Sequence, residues 1–161
     1  MSKILFLSLN AIRQSKSGSS IILNPRDQEL IPGVIDIVSK YSDWDITGIT
    51  NQVGIQGRKK TLSSCIQEQI YTMELLPNLS SVNFCTTFDG STAYRCHRDT
   101  AWVELPFGRN YRKPAPGMIH QFIEDYTSLP LTHALMVGVN RDDQQCALSA
   151  GIDFIWADEW R

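Results

Sequence analysis

Short apolar runs alternate along the chain with longer stretches in which apolar residues recur every three or four positions. Five runs read as strands: Ile4 to Leu9, Asp45 to Ile49, Ser81 to Cys85, Ala134 to Val137 and Phe154 to Trp156. They do not alternate between apolar and polar, as befits parallel strands covered on both faces. Pro32 opens a helix predicted over residues 32 to 41, because a proline in the first turn forfeits no hydrogen bond. From Thr61 to Leu76, the residues Leu62, Cys65, Ile66, Ile70, Met73 and Leu76 line one helical face, and Pro77 ends the pattern. Two further helices are predicted over Pro116 to Tyr126 and Asp142 to Ala150, the second closing at Gly151. Strand and helix thus take turns, which predicts an α/β chain: a Rossmann-like three-layer sandwich around a five-stranded, mainly parallel sheet.

Two stretches break the rhythm. Residues 13 to 30, rich in serine with Gly18, Asn24 and Pro25, read as a short flap after the first strand, with Ile21 to Leu23 as one arm of a hairpin. Residues 86 to 111 form a long loop whose aromatics Tyr94, Trp102, Phe107 and Tyr111 either offer a contact surface or pack over the sheet edge. Trp156 and Trp160, near the end, either cap the core or meet a partner. No repeat or linker interrupts the 161 residues, a length suited to one domain with one substantial core, so 1–161 is read as a single domain.

Composition narrows the function classes. A net charge of −2 gives no basis for bulk polyanion binding, so nucleic acid is a disfavoured partner. The longest apolar run, Ile4 to Leu9, is far short of the roughly 20 residues of a membrane span and lacks a small-residue cleavage site, so no membrane association and a cytoplasmic location are expected. The four cysteines, Cys65, Cys85, Cys96 and Cys146, contain no CxxC spacing and are expected to be reduced thiols. Cys96 and His97 are adjacent, and neighbouring side chains seldom converge on one ion. His120 and His133 are expected to be packed or surface residues.

In doubly wound sheets, ligands sit at the carboxyl ends of the strands. The residues there are Ser8-Leu9-Asn10, Thr50-Asn51-Gln52, Arg109 to Lys113 and Val139 to Asp143. Three strings stand out: Thr50-Asn51-Gln52-Val53-Gly54-Ile55, Arg112-Lys113-Pro114-Ala115-Pro116-Gly117-Met118, and Val137-Gly138 with Asp143 and Ala150-Gly151-Ile152. In their order and separation they resemble the haloacid-dehalogenase-type phosphatases, in the branch of histidinol-phosphate, heptose-bisphosphate and polynucleotide 3′-phosphatases.

That resemblance implies an aspartate nucleophile after the first strand and an acid/base aspartate two residues on. Here those positions are Ser8 and Asn10, and the glycine-threonine pair that follows is Ala11-Ile12. The aspartate that would hold magnesium after Val-Gly is Val139, while the motif's second acidic position remains as Asp143. The resemblance assigns Thr50 and Lys113 to the phosphate oxygens, and Asn51 and Arg112 to the neighbourhood of the substrate. The cysteine pairs of the zinc loop in the heptose-phosphatase branch are missing, with Cys85-Thr86-Thr87 and Arg109-Asn110-Tyr111 in their places.

Phosphoryl transfer to a carboxylate needs an anionic nucleophile, a cation and a proton donor. Asn10 cannot deliver a proton, and Leu9, Asn10 and Ala11 offer Ser8 no base. The expectation is therefore a pseudophosphatase, without cofactor, that binds a phosphorylated small molecule or a protein partner. Two alternatives stand beside it. One is an active phosphomonoesterase with Ser8 or water as nucleophile and Mg2+ partly held by Asp143. The other is a nucleic-acid end binder, to which a basic rim from Arg58, Lys59, Lys60, Arg95, Arg98 and Arg109 would contribute. Lys113 is expected either to serve an anion or to pair with Asp143, and Arg58-Lys59-Lys60 either to line the rim or to lie in solvent.

Overall fold

The computed structural model describes residues 2–99, 101–127 and 130–161; Thr100, within the predicted long loop, lies outside them. β1 (Ser2–Ser8) runs through the middle of the sheet because Ile4, Leu5, Phe6 and Leu7 are all fully buried and can only sit between two layers. It pairs in parallel with β4 (Asp45–Asn51) on one side and β8 (Leu131–Gly138) on the other. Outward from these lie β5 (Ser81–Cys85), parallel to β4, and β9 (Asp153–Trp156), parallel to β8.

Period two along β1 separates the two cores. Leu5 and Leu7 face a layer made by α1 (Val34–Val38), α2 (Leu62–Leu75) and α5 (Ala157–Trp160). Ile4 and Phe6 face α3 (Gly117–Tyr126) and α4 (Arg141–Ala150). The three-layer sandwich is therefore as expected, and the four predicted helices are present within a few residues of their predicted ends. The Thr61 hydroxyl caps α2 by accepting from the Ser64 N–H at 3.0 Å, and Asn140 caps α4 by accepting from the Asp143 N–H at 2.9 Å. Gly151, at φ 75°, closes α4 in the left-handed conformation.

The sheet has seven strands among the described residues rather than five, in the order β7-β6-β5-β4-β1-β8-β9. The extra two, β6 (Ala93–His97) and β7 (Trp102–Glu104), come from the segment read as a long loop and pair antiparallel at the edge. β6 escaped a pattern reading because a charged residue, Arg95, sits buried at its centre. Its Nε donates to Asn83 Oδ1 at 2.6 Å, and its Nη1 meets Asp125 at 2.8 Å. Tyr94 stacks on Phe84 with centroids 5.7 Å apart, and Tyr111 is fully buried, so these two aromatics pack; Phe107 is 92% exposed.

The flap hairpin also differs. Its arms are β2 (Arg13–Gln14) and β3 (Glu29–Leu30), not Ile21 to Leu23. Around Ile21 the backbone is held by serines: the Ser19 hydroxyl donates to the Ile21 carbonyl at 2.8 Å, and only Ile22 of the three is buried. Trp160 caps the core, its indole N–H donating to the Tyr41 hydroxyl at 3.2 Å. His120 and His133 are exposed. All four cysteines are buried and unpaired, and no helix among the described residues is long and apolar enough to cross a membrane.

Candidate functional site

The carboxyl ends of β1, β4 and β8 bring the three sequence strings together. Lys113, on the loop before α3, reaches under the end of β1. Its Nζ lies 2.6 Å from Asp143 Oδ1 and donates to Ser8 Oγ at 3.3 Å. Asp143, on the first turn of α4, is completely buried, and its Oδ2 accepts the Val139 N–H at 2.9 Å. Position 138 must be glycine for this approach, since a Cβ there would fall 2.5 Å from the Asp143 Cβ and 2.7 Å from the Phe154 ring. The centre of the cleft thus holds one cation and one carboxylate, joined to each other. Of the two expectations for Lys113, the geometry is that of the pair.

The other predicted binding groups are near but engaged. Asn51 clamps the Lys113 backbone: its Nδ2 donates to the Lys113 carbonyl at 3.0 Å, and its Oδ1 accepts the Lys113 N–H at 2.9 Å. Arg112 Nη1 donates to the Phe88 carbonyl at 2.8 Å. The Thr50 hydroxyl accepts from Gln52 Nε2 at 3.2 Å. Thr50, Asn51 and Asn10 line a cavity of about 590 Å³ beneath the flap. Arg112 and Lys113 line a separate one of about 270 Å³ beside Phe88 and Asp89. Val139 is 39% exposed and presents only hydrocarbon where the resemblance implies a carboxylate.

Magnesium is a hard cation that takes six oxygens, usually anchored by carboxylates. Asp143 has both oxygens engaged, Ser8 and Asn10 are neutral, and no three of His, Cys, Asp and Glu gather to hold an ion among the described residues. The donor set present does not fit magnesium.

Much of the expected basic rim is elsewhere. Arg95 is paired with Asp125, Arg98 Nη2 is tied to the carbonyls of Pro77 and Leu79, and Arg109 pairs with Glu124 at 2.6 Å. Arg58 and Lys59 lie in solvent. Lys60 does not: its Nζ lies 2.7 Å from Glu68 Oε1, whose other oxygen is 2.9 Å from Arg13 Nη2. All three side chains are at most 5% exposed. Sequence reading missed this cluster, although a signal existed. Cys65, Glu68 and Thr72 fall at i, i+3 and i+7, so Glu68 shares a face of α2 with a core cysteine and requires a buried cation opposite it.

No family model matches the sequence, and no curated protein is significantly similar to it. Solved structures are. D,D-heptose 1,7-bisphosphate phosphatase from B. bronchiseptica, complexed with magnesium and phosphate, superposes with a TM-score of 0.70 at 19% identity, over 94% of this chain and 78% of that one. A protein from Mesorhizobium loti described as a HAD-like phosphatase gives 0.69 at 20% identity, over 94% and 69%. One from Lactobacillus plantarum described as a phosphoglycolate phosphatase gives 0.55 at 12%, over 99% and 88%. The α/β fold of this chain is accordingly similar to that of these phosphatases.

Proposed function

We propose that this protein uses a phosphatase fold to bind a phosphorylated small molecule without cleaving it. The observation that carries this reading is the Lys113–Asp143 pair closed against Ser8. The serine's side-chain neighbour is an ammonium group, which cannot take its proton, so Ser8 has no base to make it a nucleophile. Asn10 has no proton to deliver to a leaving oxygen. The remaining carboxylate is spent on a lysine and a backbone N–H. What the cleft retains is two cavities with polar linings, Thr50 and Asn51 in one and Arg112 and Lys113 in the other. Such a site recognises an anion without a metal. Four buried, unpaired thiols accord with a reducing, cytoplasmic setting. A protein partner is the second reading, favoured by Trp102 in the edge strand β7 and Phe107 in the turn after it, exposed by 48% and 92%.

The test is direct. With para-nitrophenyl phosphate and magnesium, the purified protein is expected to release no phosphate above background. Inorganic phosphate in metal-free buffer is expected to raise its melting temperature. Hydrolysis at an ordinary enzymatic rate of about 1 s⁻¹ or more overturns the proposal.

A further inference from the structure

The cavity beneath the flap contains a charge imbalance that the fold alone does not require. Its charged lining residues are Arg13, Lys60 and Glu68, two cations to one carboxylate. Both oxygens of Glu68 are engaged: Oε1 meets Lys60, while Oε2 meets Arg13 and also accepts from Gln69 Nε2 at 3.2 Å. Of the two flap carboxylates, Asp27 turns to Ser17, accepting its N–H at 2.9 Å and its hydroxyl at 2.5 Å, and Glu29 accepts from Gln14 Nε2 at 3.4 Å; neither lines the cavity. One positive charge in the wall is left without a counter-ion.

Arg13 marks where that charge opens. Its Nε donates to Thr72 Oγ1 at 3.3 Å, and its Nη2 to Glu68 and, at 3.5 Å, Gln69. Nη1 makes no hydrogen bond among the described residues. It is not sealed in either, since the one sealed and unpartnered side-chain nitrogen or oxygen among those residues is Arg95 Nη2. Arg13 as a residue is 5% exposed and lines the cavity, and Nη1 is its guanidinium nitrogen left without a partner among the described residues. Burial pulls the Arg13 pKa below the ordinary arginine value, with Glu68 opposing that shift. Lys60 Nζ, bonded to Gln52 Oε1 at 2.9 Å and to Glu68, keeps a third N–H to offer. A staple between flap and α2 needs only one cation for Glu68. A second, kept dry and uncompensated, raises the desolvation cost unless an anion completes the set.

We propose that the flap cavity is the anion seat of this protein, and that Arg13 Nη1 and Lys60 Nζ grip the phosphate of a phosphomonoester. Thr50 and Asn10 stand beside this seat, and Ser15, Ser19 and Ser20 of the flap meet the hydroxylated body of the ligand. The phosphate is thereby moved from the Lys113 side of the strand ends to the flap side. This rests on the reading that the protein binds a phosphorylated small molecule, and it names where and by which groups.

Titrations with inorganic phosphate and with glycerol 3-phosphate test it, using calorimetry and the arginine side-chain NMR spectrum. The Arg13 Nε–Hε signal, assigned by its loss in Arg13→Lys, is expected to shift to saturation in the wild-type protein. Lys60→Gln is expected to weaken binding by at least about tenfold, and Glu68→Gln to tighten it. The paired change Lys113→Met with Asp143→Asn removes both charges together and tests the Lys113 side of the strand ends. If binding is lost in that pair while the Arg13 signal stays still, phosphate recognition survives but the flap seat is wrong. If neither probe binds wild type at about 10 mM, the flap seat falls together with the binding reading. Should Lys60→Gln fail to fold, the wild-type Arg13 signal decides alone: no shift on saturation refutes the seat.

Discussion

Replacing Lys113 with methionine keeps most of the side chain's volume and removes its charge. The effect follows from what is left behind. Asp143 is completely buried, and its Oδ1 loses a partner at 2.6 Å, while Oδ2 keeps the Val139 N–H. Breaking a buried ion pair from one side costs about 3–5 kcal/mol, because the stranded charge must be solvated by protein that cannot do so. The retained backbone contact and the 8% exposure of the lysine side chain point to the lower end, about 3 kcal/mol. In a chain of this length each kcal/mol moves the melting temperature by about 2–4 °C, which gives a fall of roughly 6–12 °C. Adding Asp143→Asn should restore stability to within about 1 kcal/mol of wild type, since a neutral amide still accepts from Val139. Urea unfolding with linear extrapolation measures both variants. A single variant within about 1 kcal/mol of wild type would refute the reasoning, since the lysine would then be free in solution and the cleft open to an anion there.

Other predictions follow the same geometry. Ser8→Asp, Asn10→Asp and Val139→Asp together place three carboxylates beside Asp143 and are expected to create magnesium binding visible by calorimetry; a folded triple variant without it sinks the assignment of those positions. Gly138→Ala should cost about 1–3 kcal/mol by urea unfolding, because its Cβ would overlap Asp143 and Phe154, and an unchanged midpoint would contradict that packing. Burial pushes the Cys65, Cys96 and Cys146 thiols up to about 12 and raises Cys85, so a chromogenic disulfide reagent at pH 8 should find no rapidly reacting thiol in the native protein and four in denaturant. The sign for stability is negative at high pH: unfolded thiols release protons near pH 9 while the folded ones hold theirs, so unfolding free energy should fall as pH rises above about 9.

The strands and helices that were readable in advance share one property: their burial is paid for by apolar residues at a single period. β1, with Ile4 to Leu7 all buried, and α2, with its stripe from Leu62 to Leu76, are of this kind. β6 is not, because Arg95 is made compatible with burial by Asn83 and Asp125, which are distant in sequence and invisible to any local window. The same distinction runs through the cleft. The strings Thr50-Asn51-Gln52 and Arg112-Lys113-Pro114 located the strand ends, and Asp143 was found with them. That Asn51 holds the Lys113 backbone, or that Lys60 is buried while Lys59 is not, depends on contacts across 62 and 8 residues that composition does not encode. Arg13 looked like the start of a solvated flap, and only the pairing of β2 with β3 turns it inward beneath α2.

The two buried lysines of the cleft therefore sit in opposite electrostatic situations, and this decides where an anion enters. At Lys113 there is one carboxylate for one cation. A phosphate arriving there must compete with Asp143, and displacing that residue would strand a fully buried charge at a cost of about 3–5 kcal/mol, equal to about two to three and a half decades of affinity lost before any contact is gained. At Lys60 there are two cations for one carboxylate, with Arg13 Nη1 already unpartnered, so an anion displaces no protein charge and completes a set that burial otherwise penalises. Beside Ser8, the Lys113–Asp143 pair leaves the strand ends of β1 and β8 neutral by internal pairing. The uncompensated positive charge of the cleft lies one cavity away, under the flap.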